Sequence, residues 1–213
     1  MGNNHSLKIV YGLNFITLGD FVGKTCLCEQ FVRGIFSPIF CPTAGFDLFR
    51  KDVKIENKLY KILIYCGSGA ESQRGIYKSF YKKMACALAV YDISKRESFD
   101  LIDSWIEECK LYSKSTYIVL VGNKVDLENQ REVSFEEGKE LANKYGIDFY
   151  ETSAMTGKNV EELFLNSVKE IDKRIYQGYY YLNNDNLGII AISGVKNNKM
   201  KNVITRFKNR KKV

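Results

Sequence analysis

The segment Asn-Lys-Val-Asp at residues 123–126 has the residue types that recognise a purine base. It directly follows the apolar run 117–121, and such a run is typical of a buried strand whose carboxyl end opens onto a ligand site. The carboxylate of Asp126 can accept hydrogen bonds from the ring N–H and the exocyclic amine of guanine, whereas adenine offers no such donor pair. The segment therefore predicts a guanine-selective loop, although an isolated match of this kind also fits an ordinary turn.

A second group of residues has the composition of a phosphate-binding loop. The apolar residues 15–18 predict a strand, and the segment Gly-Asp-Phe-Val-Gly-Lys-Thr at 19–25 leads into a helical pattern. In such a P-loop, backbone N–H groups cradle phosphates, Lys24 reaches the β- and γ-phosphates, and the Thr25 hydroxyl binds Mg²⁺. The alternative is a glycine turn before an amphipathic helix. The motif also departs from its pattern, because three residues instead of four separate the glycines and Phe21 stands where a small residue is usual.

With both motifs in place, the chain resembles the Ras superfamily of small GTPases, and the Rab family most closely, over residues 9–176. Further segments support the resemblance in the order that the family requires. They are Phe36–Thr43, similar to switch I; Thr43–Leu48, similar to the Rab pattern T-I-G-V-D-F; Ala89–Ser94, similar to the fourth Rab strand; Glu151–Ala154, similar to the last base-binding loop; and Asn159–Phe164, similar to the start of the final helix.

The resemblance implies a complete nucleotide site. Phe36 would stack edge-on against guanine, Thr43 would bind Mg²⁺ and sense the γ-phosphate, and the backbone N–H of Ala154 would meet the guanine oxygen. GTP or GDP with Mg²⁺ would be the cofactors, Thr25 and Thr43 the metal ligands, and no residue is assigned a catalytic role. The implied nucleotide-binding residues are Gly19, Gly23, Lys24, Thr25, Cys26, Phe36, Thr43, Gly69, Asn123, Lys124, Asp126, Ser153 and Ala154.

Switch II is where the chain leaves the family pattern. The family segment W-D-T-A-G-Q-E corresponds to residues 65–71, in which Gly69 is retained. Cys66 replaces the Asp that organises Mg²⁺, and a thiol is a poor partner for a hard cation that prefers oxygen. Ala70 replaces the Gln that orients the attacking water, and a methyl group has no hydrogen bond to offer. We therefore expect intact base recognition, weakened phosphate and metal binding, and impaired hydrolysis.

By position, Leu48, Tyr65 and Phe80 stand where Rab proteins usually show Phe, Trp and Tyr. They predict an apolar surface for effector and exchange proteins, with ordinary core packing as the alternative.

Strands and helices alternate along the chain, which predicts a P-loop NTPase G domain of the α/β class, with a six-stranded, mainly parallel sheet and helices on both faces. Functional loops should gather at the carboxyl ends of the strands. The predicted strands lie near 13–18, 46–55, 59–66, 85–91, 117–122 and 147–151, and the predicted helices near 24–33, 73–83, 97–112, 135–145 and 159–176.

The net charge of +7 over 213 residues comes from one end of the chain. From Lys196 onward there are eight basic residues and no acidic one, so the net charge of residues 1–195 is 7 − 8 = −1. We interpret this tail as membrane-directed, since Rab-like proteins place basic tails at membranes, with a solvated disordered tail as the alternative. The six cysteines lack zinc-ligand spacing, and no apolar stretch approaches the ~18 residues that cross a bilayer, so a reducing, cytosol-facing location fits best.

The chain begins Met-Gly-Asn-Asn-His-Ser, which fits the pattern for myristoylation of Gly2. The last cysteine is Cys109, so we expect no terminal prenyl group. One acyl chain binds membranes only marginally, and the basic tail would be the second signal. The predicted organisation is an amino-terminal segment at 1–8, a G domain at 9–176 and a basic, flexible tail at 177–213.

Taken together, these patterns favour a divergent, monomeric, Rab-like guanine-nucleotide switch on the cytosolic face of intracellular membranes, with vesicle trafficking as its setting. One alternative is a pseudo-GTPase that serves as a protein-binding scaffold without nucleotide. A second is a nucleic-acid-binding protein on a G-domain scaffold, which only the basic tail supports.

Overall fold

A mainly parallel sheet runs through the middle of the protein. The computed structural model describes residues 9–37, 45–68, 74–180 and 188–193. The strand order is β2-β3-β1-β4-β5-β6, in which β1, β3, β4, β5 and β6 are parallel and β2 forms an antiparallel hairpin with β3. The strands are β1 (Ile9–Leu18), β2 (Phe46–Ile55), β3 (Lys58–Gly67), β4 (Cys86–Asp92), β5 (Tyr117–Asn123) and β6 (Asp148–Glu151).

Helices cover both faces of this sheet, as the sequence predicts. They are α1 (Lys24–Arg33), α2 (Arg74–Tyr81), α3 (Arg96–Asp100), α4 (Ile102–Tyr112), α5 (Phe135–Tyr145) and α6 (Val160–Gln177), with a 3₁₀ turn at Val125–Gln130. No helix in the described part of the chain is long and apolar enough to span a membrane.

The alternation of side chains along β1 explains why there are two helical layers. Phe15 belongs to the core that contains residues of α1 and α6, whereas its neighbour Ile16 belongs to the core that contains residues of α2 and α4. Strands β4 and β5 are buried at every position, as expected of strands covered on both faces. The predicted fold class is therefore confirmed.

The predicted helix at 97–112 is two helices, because the chain changes its hydrogen-bond pattern at Leu101. The N–H of Leu101 bonds to the carbonyl of Phe99, so the register of α3 ends there. Helix α5 follows its predicted bounds and starts with a capping box, in which Ser134 and Glu137 satisfy each other's backbone N–H groups.

A seventh strand extends the sheet beyond the six that the sequence predicts. Strand β7 (Ile189–Ser193) pairs antiparallel with the first half of β1, so that Val10 lies opposite Ser193 and Leu13 opposite Ile189. It lies in the range assigned to the flexible tail, although the Asn- and Gly-containing segment 183–188 before it and Gly194 after it are turn signals that bound its short apolar run. Ile189 is buried against the main core, which is the tertiary contact that stabilises the strand.

Candidate nucleotide-binding site

The loops that the sequence assigns to nucleotide binding follow the carboxyl ends of parallel strands and meet at one end of the sheet. Residues 19–23 follow β1, the segment 124–126 follows β5, and residues 152–154 follow β6. This is the end of an α/β sheet at which ligands bind.

Asn123 joins three of these loops through its buried side chain. Its Nδ2 donates to the carbonyl of Val22 at 3.0 Å. Its Oδ1 accepts from the Thr152 hydroxyl at 3.2 Å and from the Ala154 N–H at 3.3 Å. The side chain predicted to hold the nucleoside is therefore used, in this structure, to hold the two base-binding loops against the P-loop.

Asp126 is exposed beside these loops, and a residue of a neighbouring loop positions its side chain. Its Oδ1 accepts a hydrogen bond of 2.5 Å from the hydroxyl of Ser153. A carboxylate oriented in this way remains available to two donors on a base edge. Ser153 itself is buried, so its role is to orient Asp126 rather than to offer a separate surface.

Lys124 turns the chain between Asn123 and Asp126. Its φ of 69° lies in the left-handed region, and its Nζ forms an ion pair of 2.6 Å with Oδ2 of the fully buried Asp92 at the end of β4. From the sequence, Asp92 is only part of the strand motif 89–94 and has no predicted role at the site. An acidic residue at the end of a buried strand was the signal available.

Arg131 is a second positioning residue that sequence reasoning missed. Its guanidinium donates to both carboxylate oxygens of Glu151 at the end of β6, at 2.6 and 2.9 Å, and also contacts Glu128. These bidentate pairs fix the turn after Asp126 to the strand that leads into Ser153. No motif marks Arg131, because its partner Glu151 is 20 positions away in sequence.

The backbone of the predicted P-loop is sharply bent, and one of its bends falls on a residue with a Cβ. Gly19, Phe21 and Gly23 all have positive φ, at 119°, 55° and 83°. A Cβ at Gly19 would lie 2.2 Å from the carbonyl oxygen of Val90, so glycine is required there by close approach. Phe21 has no such freedom, because a left-handed conformation is unfavourable for a residue with a Cβ.

The start of α1 offers backbone donors to an anion. Its N-cap is Gly23, which has no side chain to satisfy the first N–H groups, and no acidic residue occupies the first turn. Lys24 is 4% exposed, its Nζ donates to the carbonyl of Gly19, and burial lowers the pKa of its ammonium group. Cys26 is half-buried in the same turn. These groups fit the phosphates of a nucleotide.

A sequence model of the Ras family matches residues 14–173, which is more than half of the chain. The protein belongs to the Ras family. It is thus a GTP-binding switch protein in the general sense of that family, and the matched region includes the loops described above.

A thiol lies beside Thr25, which the resemblance implies as a Mg²⁺ ligand. The Sγ of Cys66, at the end of β3, is 3.6 Å from the Oγ1 of Thr25. Hydrogen bonding from Cys28 and Thr25 lowers the pKa of the Cys66 thiol to about 7, against the opposing effect of burial. The described residues contain no cluster of three or more acidic, histidine or cysteine ligands. A thiol beside one hydroxyl fits Mg²⁺ poorly.

The remaining predicted residues of the Ras-family site are only partly described. Phe36 follows α1 and is 38% exposed, with no contact that assigns it to a base. Thr43, Gly69 and the position of Ala70 lie outside the described residues, as does Gly2. Their roles stay predictions.

Proposed function

We propose that this Ras-family protein is a Rab-like switch that binds GTP or GDP selectively over adenine nucleotides. The observation that carries the proposal is the anchoring of Asn123 to Val22, Thr152 and Ala154, with Asp126 held by Ser153 beside it. A site whose base-reading carboxylate is already oriented loses little conformational freedom on binding.

Phosphate binding is the second part of the proposal. Lys24 would replace its present acceptor, the Gly19 carbonyl, with phosphate oxygens, and the uncapped start of α1 would contribute N–H donors. A buried ammonium gains from an arriving anion, because the anion offsets part of the loss of solvation. Burial, which lowers the pKa of Lys24, is therefore an argument for binding of a negatively charged ligand at this position.

Hydrolysis is proposed to be weak or absent. Ala70 offers no group to orient water, and Cys66 offers sulfur where the family uses a carboxylate. The protein would then change state mainly by nucleotide exchange or by binding partners that select one nucleotide.

Effector and exchange proteins would contact the β2–β3 face. Leu48, 52% exposed, lies opposite Tyr65 in the β2–β3 ladder, and the rings of Tyr65 and Phe80 are 5.4 Å apart. Phe46 packs on Phe80 at 4.8 Å. These contacts support an apolar surface at the positions where Rab proteins usually show Phe, Trp and Tyr.

Membrane attachment is proposed to combine myristoylation of Gly2 with the eight basic residues of the tail, at the cytosolic face of intracellular membranes. Vesicle trafficking is the setting that the Rab resemblance suggests, and the protein would act there as a monomer.

The decisive experiment identifies and ranks the bound nucleotide. Protein purified without added nucleotide is denatured, and the released small molecule is resolved by anion-exchange chromatography. Labelled GDP and ATP are then titrated against wild type, Asp126→Asn and the matched exposed control Asp100→Asn. We expect GDP or GTP in the released fraction and a loss of GDP affinity only in Asp126→Asn. Equal affinity for GDP and ATP in wild type would refute the proposal.

A nucleotide-free scaffold is the second candidate, and Phe21 is the observation that favours it. A bulky residue in a left-handed conformation within a shortened loop weakens phosphate binding. On this view the aromatic surface around Tyr65 and Phe80 is retained for a protein partner. Absence of released nucleotide, together with no measurable GDP binding, would select this candidate.

A further inference from the structure

Strand β7 brings two distant parts of the chain to the same edge of the domain. Because β7 is antiparallel to β1 and Val10 pairs with Ser193, the start of β1 and the end of β7 lie side by side. This is the amino-terminal end of the parallel strands, opposite the loops that form the nucleotide site.

The surface around these two strand ends is basic and carries exposed apolar side chains. Lys82 and Lys83 lie in the turn before β4, Lys114 lies shortly before β5, and all three are exposed. Tyr179 is 71% exposed just after α6, and Ile190 on β7 is 53% exposed. We call these five residues the basal surface.

Contacts between backbone segments show that the basal surface is continuous. A Cβ at Gly188 would lie 2.2 Å from the carbonyl oxygen of Lys83, so the start of β7 runs directly over the turn that carries the lysines. The hydroxyl of Tyr180, next to Tyr179, donates to the carbonyl of Ser115 at 3.0 Å. Nearby acidic groups are engaged, since Asp172 pairs with Lys58, and Glu170 pairs with Lys173 and Arg174. Among the described acidic residues of this end, Glu56 at the β2–β3 turn and Asp148 at the start of β6 are exposed, and Asp148 accepts a hydrogen bond from the hydroxyl of Tyr117.

From this arrangement we infer that the basal surface docks directly on an anionic lipid bilayer, and that β7, which precedes the basic residues in sequence, contributes to this contact. The inference rests on the membrane attachment proposed above and names the face of the domain that makes the contact. Lysines attract anionic headgroups, while a tyrosine and an isoleucine suit the interfacial layer between headgroups and acyl chains. Ile190 has no aromatic face on which a nucleic-acid base can stack, whereas Tyr179 has one, so single-stranded RNA is included in the test below.

The geometry also places the start of β1 beside the end of β7. Membrane signals linked to these two positions would raise each other's local concentration at the bilayer, so their effects would multiply without further contacts. The nucleotide site then faces away from the membrane and stays open to partners.

The first test compares two charge-matched triple variants of the full chain. Lys82→Gln/Lys83→Gln/Lys114→Gln removes the basal lysines, and Lys95→Gln/Lys139→Gln/Lys158→Gln removes three exposed lysines elsewhere on the domain. Sedimentation is measured with phosphatidylcholine vesicles that contain or lack phosphatidylserine. Since each basic group near an anionic surface contributes about a fivefold gain in affinity, we expect the basal triple to lose about tenfold or more and the control triple less than about threefold.

The possible outcomes distinguish failure of the basal surface from failure of the membrane attachment proposed above. If both triple variants weaken vesicle binding equally, the attraction depends on the net charge of the protein, and docking through the basal surface is refuted. If only truncation after Val195 abolishes binding, the tail attaches the protein alone, and the inference fails while membrane attachment stands. If no form binds acidic vesicles, with or without a myristoyl group on Gly2, membrane attachment itself fails. Tighter binding of the full chain to single-stranded RNA, lost in the basal triple, would assign the surface to RNA instead.

A second variant tests β7 without changing charge. Gly188→Ala places a Cβ against the Lys83 carbonyl at a φ of 61°, whereas Gly146→Ala is a control at a φ of 63° with open space around the new Cβ. We expect Gly188→Ala to speed amide exchange of residues 189–193 and to weaken vesicle binding several-fold, with Gly146→Ala close to wild type in both. Faster exchange with unchanged vesicle binding would refute the role of β7.

Discussion

The side-chain amide of Asn123 donates a 3.0 Å hydrogen bond to the backbone carbonyl of Val22, across 101 positions of sequence. This bond connects the loop proposed to read the base with the loop proposed to hold the phosphates. Because the same side chain also accepts from Thr152 and Ala154, one residue fixes the relative position of three loops before any ligand arrives.

Replacing Asn123 with Ala should therefore reduce both stability and nucleotide affinity. The change leaves buried polar groups of Val22, Thr152 and Ala154 without a partner, at about 1–3 kcal/mol. Urea unfolding and GDP titration measure the two effects, and Asn129→Ala, in an exposed turn, is the control. A fall in GDP affinity with unchanged unfolding free energy would contradict the interpretation of Asn123 as an organiser of the loops.

Phe21→Gly should stabilise the P-loop relative to Phe21→Ala. Both variants remove the exposed ring, but alanine keeps a Cβ at a φ of 55°, which costs about 1–2 kcal/mol in the left-handed region. We expect the glycine variant to unfold at higher urea concentration than the alanine variant and to bind GDP more tightly. Equal midpoints for the two variants would show that the loop relaxes out of this conformation.

Cys66 should make stability depend on pH in a defined window. Its thiol has a folded-state pKa of about 7, below the ordinary value of 9.0, so its contribution is fully present above pH 9 and is lost as the pH falls through 7. A shift of this size corresponds to roughly 2–3 kcal/mol. The difference in unfolding free energy between wild type and Cys66→Ser should widen as the pH rises from 7 to 9.

Cys109→Ser is the matched control for that measurement. Burial raises the pKa of the Cys109 thiol to about 12, so this group stays protonated in both states below its ordinary value of 9.0. Its stability difference from wild type should be flat between pH 7 and 9. A flat profile for Cys66→Ser as well would show that the Cys66 thiol is not stabilised as a thiolate.

Hydrolysis of GTP should be slow in wild type and should respond to restoration of the family residues. An intrinsic rate at or below about 10⁻⁴ s⁻¹ is expected, and Ala70→Gln combined with Cys66→Asp should raise it, since these changes return a water-orienting amide and a carboxylate. Single-turnover assays with labelled GTP measure the rate. A wild-type rate far above this value would mean that another residue positions the attacking water.

The sequence predicts which segments contribute to the candidate site, but it does not predict the contacts between those segments. The base-binding segment 123–126 and the P-loop at 19–25 are local patterns, and the structure brings them together as parallel strands require. The partners of Asn123 could not be predicted, because they depend on strand register. Likewise, Asp92 and Arg131 bind residues that are distant in sequence, and neither forms part of a motif that specifies its partner.

Strand β7 is a part of the fold that likewise depends on contacts between residues distant in sequence. Residues 189–193 form an apolar run bounded by turn residues, but their partner could not be predicted, because β4 pairs with β1 only from Phe15 onward and leaves the first half of that edge to β7. The break at Leu101 also depends on a local backbone hydrogen bond rather than on the helical periodicity, which continues across it.

Because residue 10 pairs with residue 193, the first and last described strands of the domain lie next to each other. A short linker between these two positions would span only the width of adjacent strands, ~5 Å, so the chain is suited to circular permutation. New ends opened at an exposed turn such as 128–130 would leave every strand of the sheet intact. The order in which the elements are synthesised could then be changed without changing the sheet that they form.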